Sequence, residues 1–358
     1  MFEYVSIRDI ARRAGVGVST VSRVLNDYPD TSQQTREKVL RIIREVNYRP
    51  NSRARQLVKN TAETICFILN NRDVINPFHS RVLMGVARYA RTLAKNVIFM
   101  QFDYPPDAPP NRLILPLVIW ERGALDGLVI AGTNYPNFIN AVKALRIPFV
   151  VFGNNLFGDL QIRDLHSVWF DNEGGTRKST EYLIELGHQN IWCLVDTTKP
   201  WYRRCYDGYC QAMAQHQLRL HKLDVRIEDS PFNAGVEGAK QFLHLQPQLS
   251  AIVAGDDEIA LGVLSGLNQN GVRVPDDISL VGFDDIEGLK FVRPLLTTIR
   301  VDKEKIGEEL AKLLFELLQN RDLPPVKRTV STELLVRESS ARPGRGLGSN
   351  GLSIEVVS

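Results

Sequence analysis

The 358-residue sequence predicts an all-α helix-turn-helix domain followed by a two-lobed α/β core built on parallel sheets. Three observations predict it. The chain holds 44 Lys+Arg and 41 Asp+Glu, yet residues 1 to 60 hold 12 and 6 of these, which leaves 32 and 35 for the remainder, so the basic surplus sits in the first segment. That segment carries three short stretches with apolar residues at helical spacing, separated by glycines and turn formers. From residue 61 onward, short apolar runs alternate with amphipathic helical stretches.

Composition sets the bounds. A 44% hydrophobic share beside 24% charged residues is that of a soluble globular chain, and its length exceeds the roughly 250 to 300 residues at which a single core stops growing. No run approaches the ~18 consecutive apolar residues of a membrane helix. The opening from Met1 to Asp9 mixes charges where a secretory signal would carry an apolar stretch, so a cytoplasmic location without membrane partners is expected. Cys66, Cys193, Cys205 and Cys210 form no C-x-x-C pair, which predicts reduced thiols, no metal site and no other cofactor. A P-loop, G-x-S-x-G, H-E-x-x-H and a G-x-G-x-x-G after the first strand are all missing, so no enzyme is expected.

Within the first segment, Ser6 reads as an N-cap with Asp9 at the third helical position, a variant of the capping box. Ile7, Ile10, Ala11 and Ala14 then share one face, and Gly15 supplies the positive φ that ends the helix. Ser19 is the cap expected for a second helix, with Val21, Val24 and Leu25 inward and Thr20, Ser22 and Arg23 outward. After turn residues 26 to 30, Ser32 caps a third helix whose apolar stripe is Val39, Ile42, Ile43 and Val46. Two short helices joined by a tight turn and braced by a third match the helix-turn-helix plan, in which the second helix enters the major groove by its N-terminal end. A concentrated basic surplus suits that use, and Val18, Ser19 and Arg23 would face the bases. Beyond it, Pro50 halts the third helix and Asn51 can cap a two-turn segment, too short to be stable alone in water.

The wording is closer than the plan demands. The strings SIRDIARRAGVGVSTVSRVLND and TREKVLRIIREVNYRPNSRARQL closely resemble the lac-repressor (LacI/GalR) family of transcriptional regulators. The resemblance implies an operator-binding domain over 1–50, with base contacts from Val18, Ser19 and Arg23 and phosphate contacts from Ser6, Thr20, Ser22, Asn26, Ser32 and Thr35. It further implies a hinge helix over 51–60 that folds on DNA beside its twin, inserting Leu57 into the minor groove with Ala54 and Arg55 alongside.

In the core, runs at 64–69, 97–100, 126–130, 148–152, 190–195, 250–253 and 278–281 read as buried strands, with helices near 80–95, 173–187, 203–216 and 303–319. Such alternation makes parallel sheets whose ligands bind beyond the carboxyl ends of the strands. The resemblance continues through Asn76-Pro77-Phe78, LDGLVIAG, Gly187-His188, DDEIALGVL, VPDDISLVGFDD and RPLLTTIRVD, to about residue 338. It implies a periplasmic-binding-protein-like core with one lobe of 61–155 plus 289–322 and another of 156–288 plus 323–340, the chain crossing near 155, 288 and 322. The implied effector, a sugar or sugar derivative ahead of a purine or nucleoside, lies between the lobes. Phe78 matches a position that stacks on ligand, and Asp256 and Asp284 match polar positions that take hydroxyls or base edges. Asp257 and Asp285 look instead like capping neighbours.

The sequence departs from the family pattern twice. Cys205 stands where members commonly carry a ligand-binding Arg, and a thiol cannot replace five guanidinium donors, so Arg203 or Arg204 would have to reach in or the ligand be held differently. Gly153 stands where many carry Asp, leaving Asn154 as the nearby candidate. The tail, 341–358, is rich in Gly, Ser and Arg without Leu heptads, which favours a homodimer over a tetramer. The rival reading of an exported solute-binding protein shares the core but would carry a signal peptide in place of the basic helices.

Overall fold

The computed structural model describes residues 5–25, 28–48, 62–73, 77–158, 162–228, 230–245 and 249–344. Asn26, the segment 51–60 with Ala54, Arg55 and Leu57, Asn76 and the tail from 345 lie outside the described residues. The chain divides into two units, Met1–Ala62 and Glu63–Ser358.

Among the described residues of the first unit there are three helices, α1 (Ile7–Ala14), α2 (Val18–Leu25) and α3 (Gln33–Glu45). Ser6 and Asp9 form the reciprocal capping box, and Gly15 closes α1 at φ 65°. Ser32 caps α3 by accepting from the Thr35 amide at 3.3 Å. The helix α2 begins one residue before the expected cap: Gly17, not Ser19, supplies the carbonyl that accepts the Val21 amide, so Ser19 sits inside the first turn. Ile10, Ala11, Ala14, Val21, Val24, Val39 and Ile42 bury against one another as a small core.

The second unit holds two six-stranded sheets. The first contains β1 (Thr64–Asn70), β2 (Asn96–Phe102), β3 (Gly127–Gly132), β4 (Phe149–Phe152), β5 (Ser167–Phe170) and β11 (Lys327–Val330), in the order β11-β5-β4-β3-β1-β2 and parallel throughout. The second contains β6 (Ile191–Val195), β7 (Lys222–Asp224), β8 (Ala251–Ala254), β9 (Ser279–Asp284), β10 (Thr297–Val301) and β12 (Thr332–Leu335), in the order β12-β10-β9-β8-β6-β7, with only β12 antiparallel to its neighbour. Every expected strand is present, and β5, β7, β10, β11 and β12 join them. Of these, β7, β10, β11 and β12 carry too few consecutive apolar residues to read as buried runs.

The helices α4 (Pro77–Thr92), α5 (Leu117–Trp120), α6 (Pro136–Ala144), α7 (Asn172–Glu185), α8 (Pro200–Gln215), α9 (Pro231–Leu245), α10 (Asp257–Gln269) and α11 (Lys303–Gln319) complete the described unit. Helices α4 and α11 touch through glycines: a Cβ on Gly85 would run into the Glu304 carbonyl, and one on Gly307 into the Val82 carbonyl. Among the described residues no helix is long and apolar enough to cross a membrane.

The expected crossings at 155, 288 and 322 need correction. Phe152 pairs with Val168, which keeps β5 in the first sheet, and Thr297 pairs with Val281, which keeps β10 in the second. The chain therefore passes between lobes at Asp171, Asp302 and Ser331, the residues that follow β5, β10 and β11. Hydrogen-bonded strand pairing, rather than the nearest loop, decides which lobe owns a segment.

Candidate functional site

The helical unit presents its expected base readers outward. Val18 is 42% exposed, and Ser19 and Arg23 are exposed beside it, while Val21 and Val24 anchor the opposite face of α2. Arg23 meets Asp30 at 2.8 Å, an exposed pair worth at most about 1 kcal/mol and so easily exchanged for a base edge. Thr20 and Ser22 flank this face, half-buried. The remaining phosphate candidates serve the fold too: the Ser6 hydroxyl donates to Asp9 at 2.6 Å, and the Ser32 hydroxyl donates to Thr35 at 2.9 Å. The Ser6 hydrogen bonds, ahead of the nearby Arg12 and Arg13 charges, hold the Asp9 carboxyl below its ordinary range.

In the second unit, a cleft between the lobes gathers Phe78, Asp256 and Asp284 with Arg72, His79, Asn155, Phe170, Trp201, Tyr202, Glu258 and Phe283. Most stand at carboxyl ends of strands or the first turns of helices that follow, where parallel sheets place ligands. Phe78 lies 5.7 Å from both Phe152 and Phe170, ring centre to ring centre, and the Lys303 ammonium sits 5.6 Å over its ring. Asp256 caps α10 by accepting from the Ile259 amide at 2.7 Å, while its second oxygen accepts a hydrogen bond from the Tyr202 hydroxyl. Asp284 ends β9 at φ 109°, a conformation that costs a non-glycine residue and is typical of functional positions.

Burial dominates the electrostatics here. It raises the Asp256 carboxyl, and it holds Asp284 well above the ordinary carboxylate range against the pull of Lys303. His79 is pushed down to about 3 and is neutral. The two neighbouring carboxylates are held within the fold, but neither caps a helix as expected, since Asp256 takes that place. Asp257 accepts from the Thr298 hydroxyl at 2.6 Å and the Ile286 amide at 2.9 Å, and Asp285 pairs with Arg300 at 2.9 Å and Arg337 at 2.6 Å.

Two site expectations fail. Asn154 does not line the cleft: its amide donates to the Phe170 carbonyl at 2.9 Å and accepts the Phe170 amide at 3.0 Å, which ties β4 to β5. Arg203 is exposed and pairs with Asp207 at 3.4 Å, one turn along α8, so it does not reach in. Arg204 does not line the cleft either; it lies 5.2 Å over the Trp169 ring and bonds the Asn154 carbonyl. Cys205 is buried, with its thiol pushed up to about 12 by burial and too far from ionisation to act as a polar ligand group. Sequence reasoning missed Arg72, Trp201, Tyr202, Glu258 and Asn155. Their common signal was position just beyond a strand's carboxyl end, at β1, β6, β8 and β4 respectively for Arg72, the Trp201-Tyr202 pair, Glu258 and Asn155.

Comparison with known proteins agrees with this architecture. Residues 6–51 match the model described as bacterial regulatory proteins, lacI family, and residues 180–340 match the periplasmic binding protein-like domain. The HTH-type transcriptional regulator MalR of Clostridium butyricum is 32% identical over 94% of this chain and 99% of its own length. The HTH-type transcriptional repressor CytR of Escherichia coli K12 is 29% identical over 94% of this chain and 96% of its own. Among solved structures, the lac repressor dimer bound to operator and the anti-inducer ONPF superposes with a TM-score of 0.81 at 26% identity, over 95% of this chain and 100% of that one. A complex of the regulator CelR with cellobiose gives 0.67 at 25% identity, over 94% and 100%. A basic helix-turn-helix joined to a two-lobed core with a polar cleft, over nearly the full length of these relatives, makes this chain a member of the lacI family of bacterial transcription regulators.

Proposed function

We propose that the chain is a repressor that binds a near-palindromic operator as a homodimer and that a small, hydroxyl-rich effector in the cleft changes its grip. The observation that carries the effector class is the pairing of an aromatic wall, Phe78 with Phe170, with the carboxyl groups of Asp256 and Asp284 in one cleft. Sugar rings offer apolar faces to aromatics and hydroxyl protons to carboxylates, each of which accepts several hydrogen bonds. The cellobiose complex of CelR supports a sugar over a purine or nucleoside. Dimerisation is supported by the edge strand β2 and the helix α4 beside it, where Phe99 (38% exposed), on the helix side of the sheet, and Met84 (46%) leave apolar surface open. Two copies bring two α2 helices to one operator, which is why the site should be a palindrome.

A thermal-shift screen of sugars, nucleosides and purines against the full chain tests the effector class, since a native-state ligand raises apparent stability. A sugar is expected to raise the melting temperature and to alter operator affinity in a gel shift. In Asp284→Asn the sugar should lose at least about tenfold in affinity while operator binding without ligand persists, because the site lies in a different unit from α2. A nucleoside as the sole hit would replace the sugar reading, and an unaltered sugar response in Asp284→Asn would make that residue structural.

A further inference from the structure

The cleft has an uneven charge. Asp256, Glu258 and Asp284 line it from the second lobe, and Arg72 is the one Arg or Lys among the described lining residues. Arg72 follows β1 and so belongs to the first lobe, whereas Trp201 opens α8 in the second. The Arg72 guanidinium lies 4.6 Å over the Trp201 ring, and its Nε donates to the Thr133 hydroxyl at 3.1 Å. Thr133 follows β3 of the first sheet, so the arm is anchored in its own lobe while its planar head rests on the other. With Nε committed, the two terminal nitrogens of the fork remain available to a ligand, and a guanidinium stacked on an indole keeps its in-plane donors aimed outward.

We propose that Arg72, clasped on Trp201, donates to the ligand of this cleft from the first lobe, while the carboxyl groups facing it from the second restrict that ligand to an uncharged, hydroxyl-rich molecule. This rests on the sugar reading above and deepens it. A phosphate dianion would give up water in this cleft for one guanidinium donor, since the Lys303 ammonium near Phe78 is already bonded to the Asp284 and Asp285 carbonyls, and it would lie beside three carboxyl groups whose own ionised forms burial already disfavours. A neutral polyol meets no such opposition and can satisfy both sides, accepting from Arg72 and donating to Asp256 and Asp284. The positive charge of Arg72 already favours the ionised forms of Asp256 and Glu258, against the burial that raises both. Neutralising it therefore weakens the acceptors as well as removing the donor.

Calorimetric titration of the full chain with ribose, glucose and cellobiose, and in parallel with ribose 5-phosphate and glucose 6-phosphate, tests this. A neutral sugar should bind at least about tenfold more tightly than its own phosphate ester. Arg72→Ala should cut the affinity for that neutral sugar at least about tenfold and Arg72→Lys should restore only part of it, since an ammonium lacks the fork. The exposed Arg112→Ala serves as the control with unchanged affinity. Ligand-induced tryptophan fluorescence change should vanish in Trp201→Phe, a readout that a purely structural Arg72 would not share. A phosphate ester that binds as tightly as its parent sugar, or full affinity in Arg72→Ala, overturns the assignment while leaving the sugar reading intact. A panel in which no sugar of either kind binds removes both.

Discussion

The recognition helix and the cleft solve opposite problems. On α2 the side chains proposed to read bases lie within six residues, Val18 to Arg23, and stay exposed because the fold needs only Val21 and Val24 from that helix. In the cleft, Arg72, Phe78, Trp201, Asp256 and Asp284 come from four separate stretches of chain, and several polar groups there, Arg72 Nε, Tyr202 and Asp256 among them, are engaged by the fold before any ligand arrives. A surface reader is therefore editable one residue at a time. A cleft residue also carries packing and capping duties, so its substitution reaches further.

The largest expected effect belongs to the packing that holds the cleft's first lobe. Gly307→Val drives a side chain into the Val82 carbonyl across the α4–α11 contact, and the resulting overpacking should cost about 3 kcal/mol or more, read as a lower denaturation midpoint of the core. Unchanged stability would mean that α4 and α11 can part freely. On the surface side, Arg23→Ala should weaken binding to a selected operator by about 1 to 3 kcal/mol and leave weak binding to random DNA in place. Equal losses on both DNAs would assign Arg23 to phosphate and erase the contrast between a reading face and a holding face.

Burial makes the next difference measurable by pH. The Asp257 carboxyl is pushed up to about 7 from its ordinary 3.8, chiefly by burial. A folded-state value above the unfolded one means that the folded chain keeps the proton longer, so this contribution is complete below about pH 4 and is lost as pH rises through about 7. In Asp257→Asn the side-chain oxygen can still accept from Ile286 and the amide can donate to Thr298, so the melting temperature of the variant should fall less than that of the parent between pH 5 and pH 8. Parallel profiles would place the Asp257 proton elsewhere. The smallest effect is expected at Ser6→Ala, which removes half of a capping box and should destabilise the helical unit by about 1 kcal/mol while altering operator affinity more than that loss accounts for only if Ser6 also touches phosphate.

Local features were legible without coordinates wherever a short stretch carried its own physics. Ser6 and Asp9 announced a capped helix because three residues suffice to make the box, and Gly15 announced its end because a positive φ is inexpensive there. The alternation of buried runs and helices announced two parallel sheets, and Asp256 and Asp284 stood at strand ends where such sheets bind ligands. Misreadings arose where a neighbour in space decided the outcome. Asn154 and Asn155 are adjacent, yet the pairing of β4 with β5 turns the first into a strand tie and the second toward His79 in the cleft.

By itself, then, the sequence determined the helical unit, the outward placement of Val18, Ser19 and Arg23, the α/β class of the core and the family, because each depends on periodicity, caps and strings of a few dozen residues at most. Tertiary structure alone decided that the chain changes lobes at Asp171, Asp302 and Ser331, that Arg203 faces solvent beside Asp207, and that Arg72 reaches Trp201 across the cleft. The physical reason is the same in each case: strand pairing and side-chain contacts join residues far apart in the chain, such as Arg72 with Trp201 or Lys327 with Ser167, and no local pattern records which distant partner will satisfy a buried donor or cover a ring.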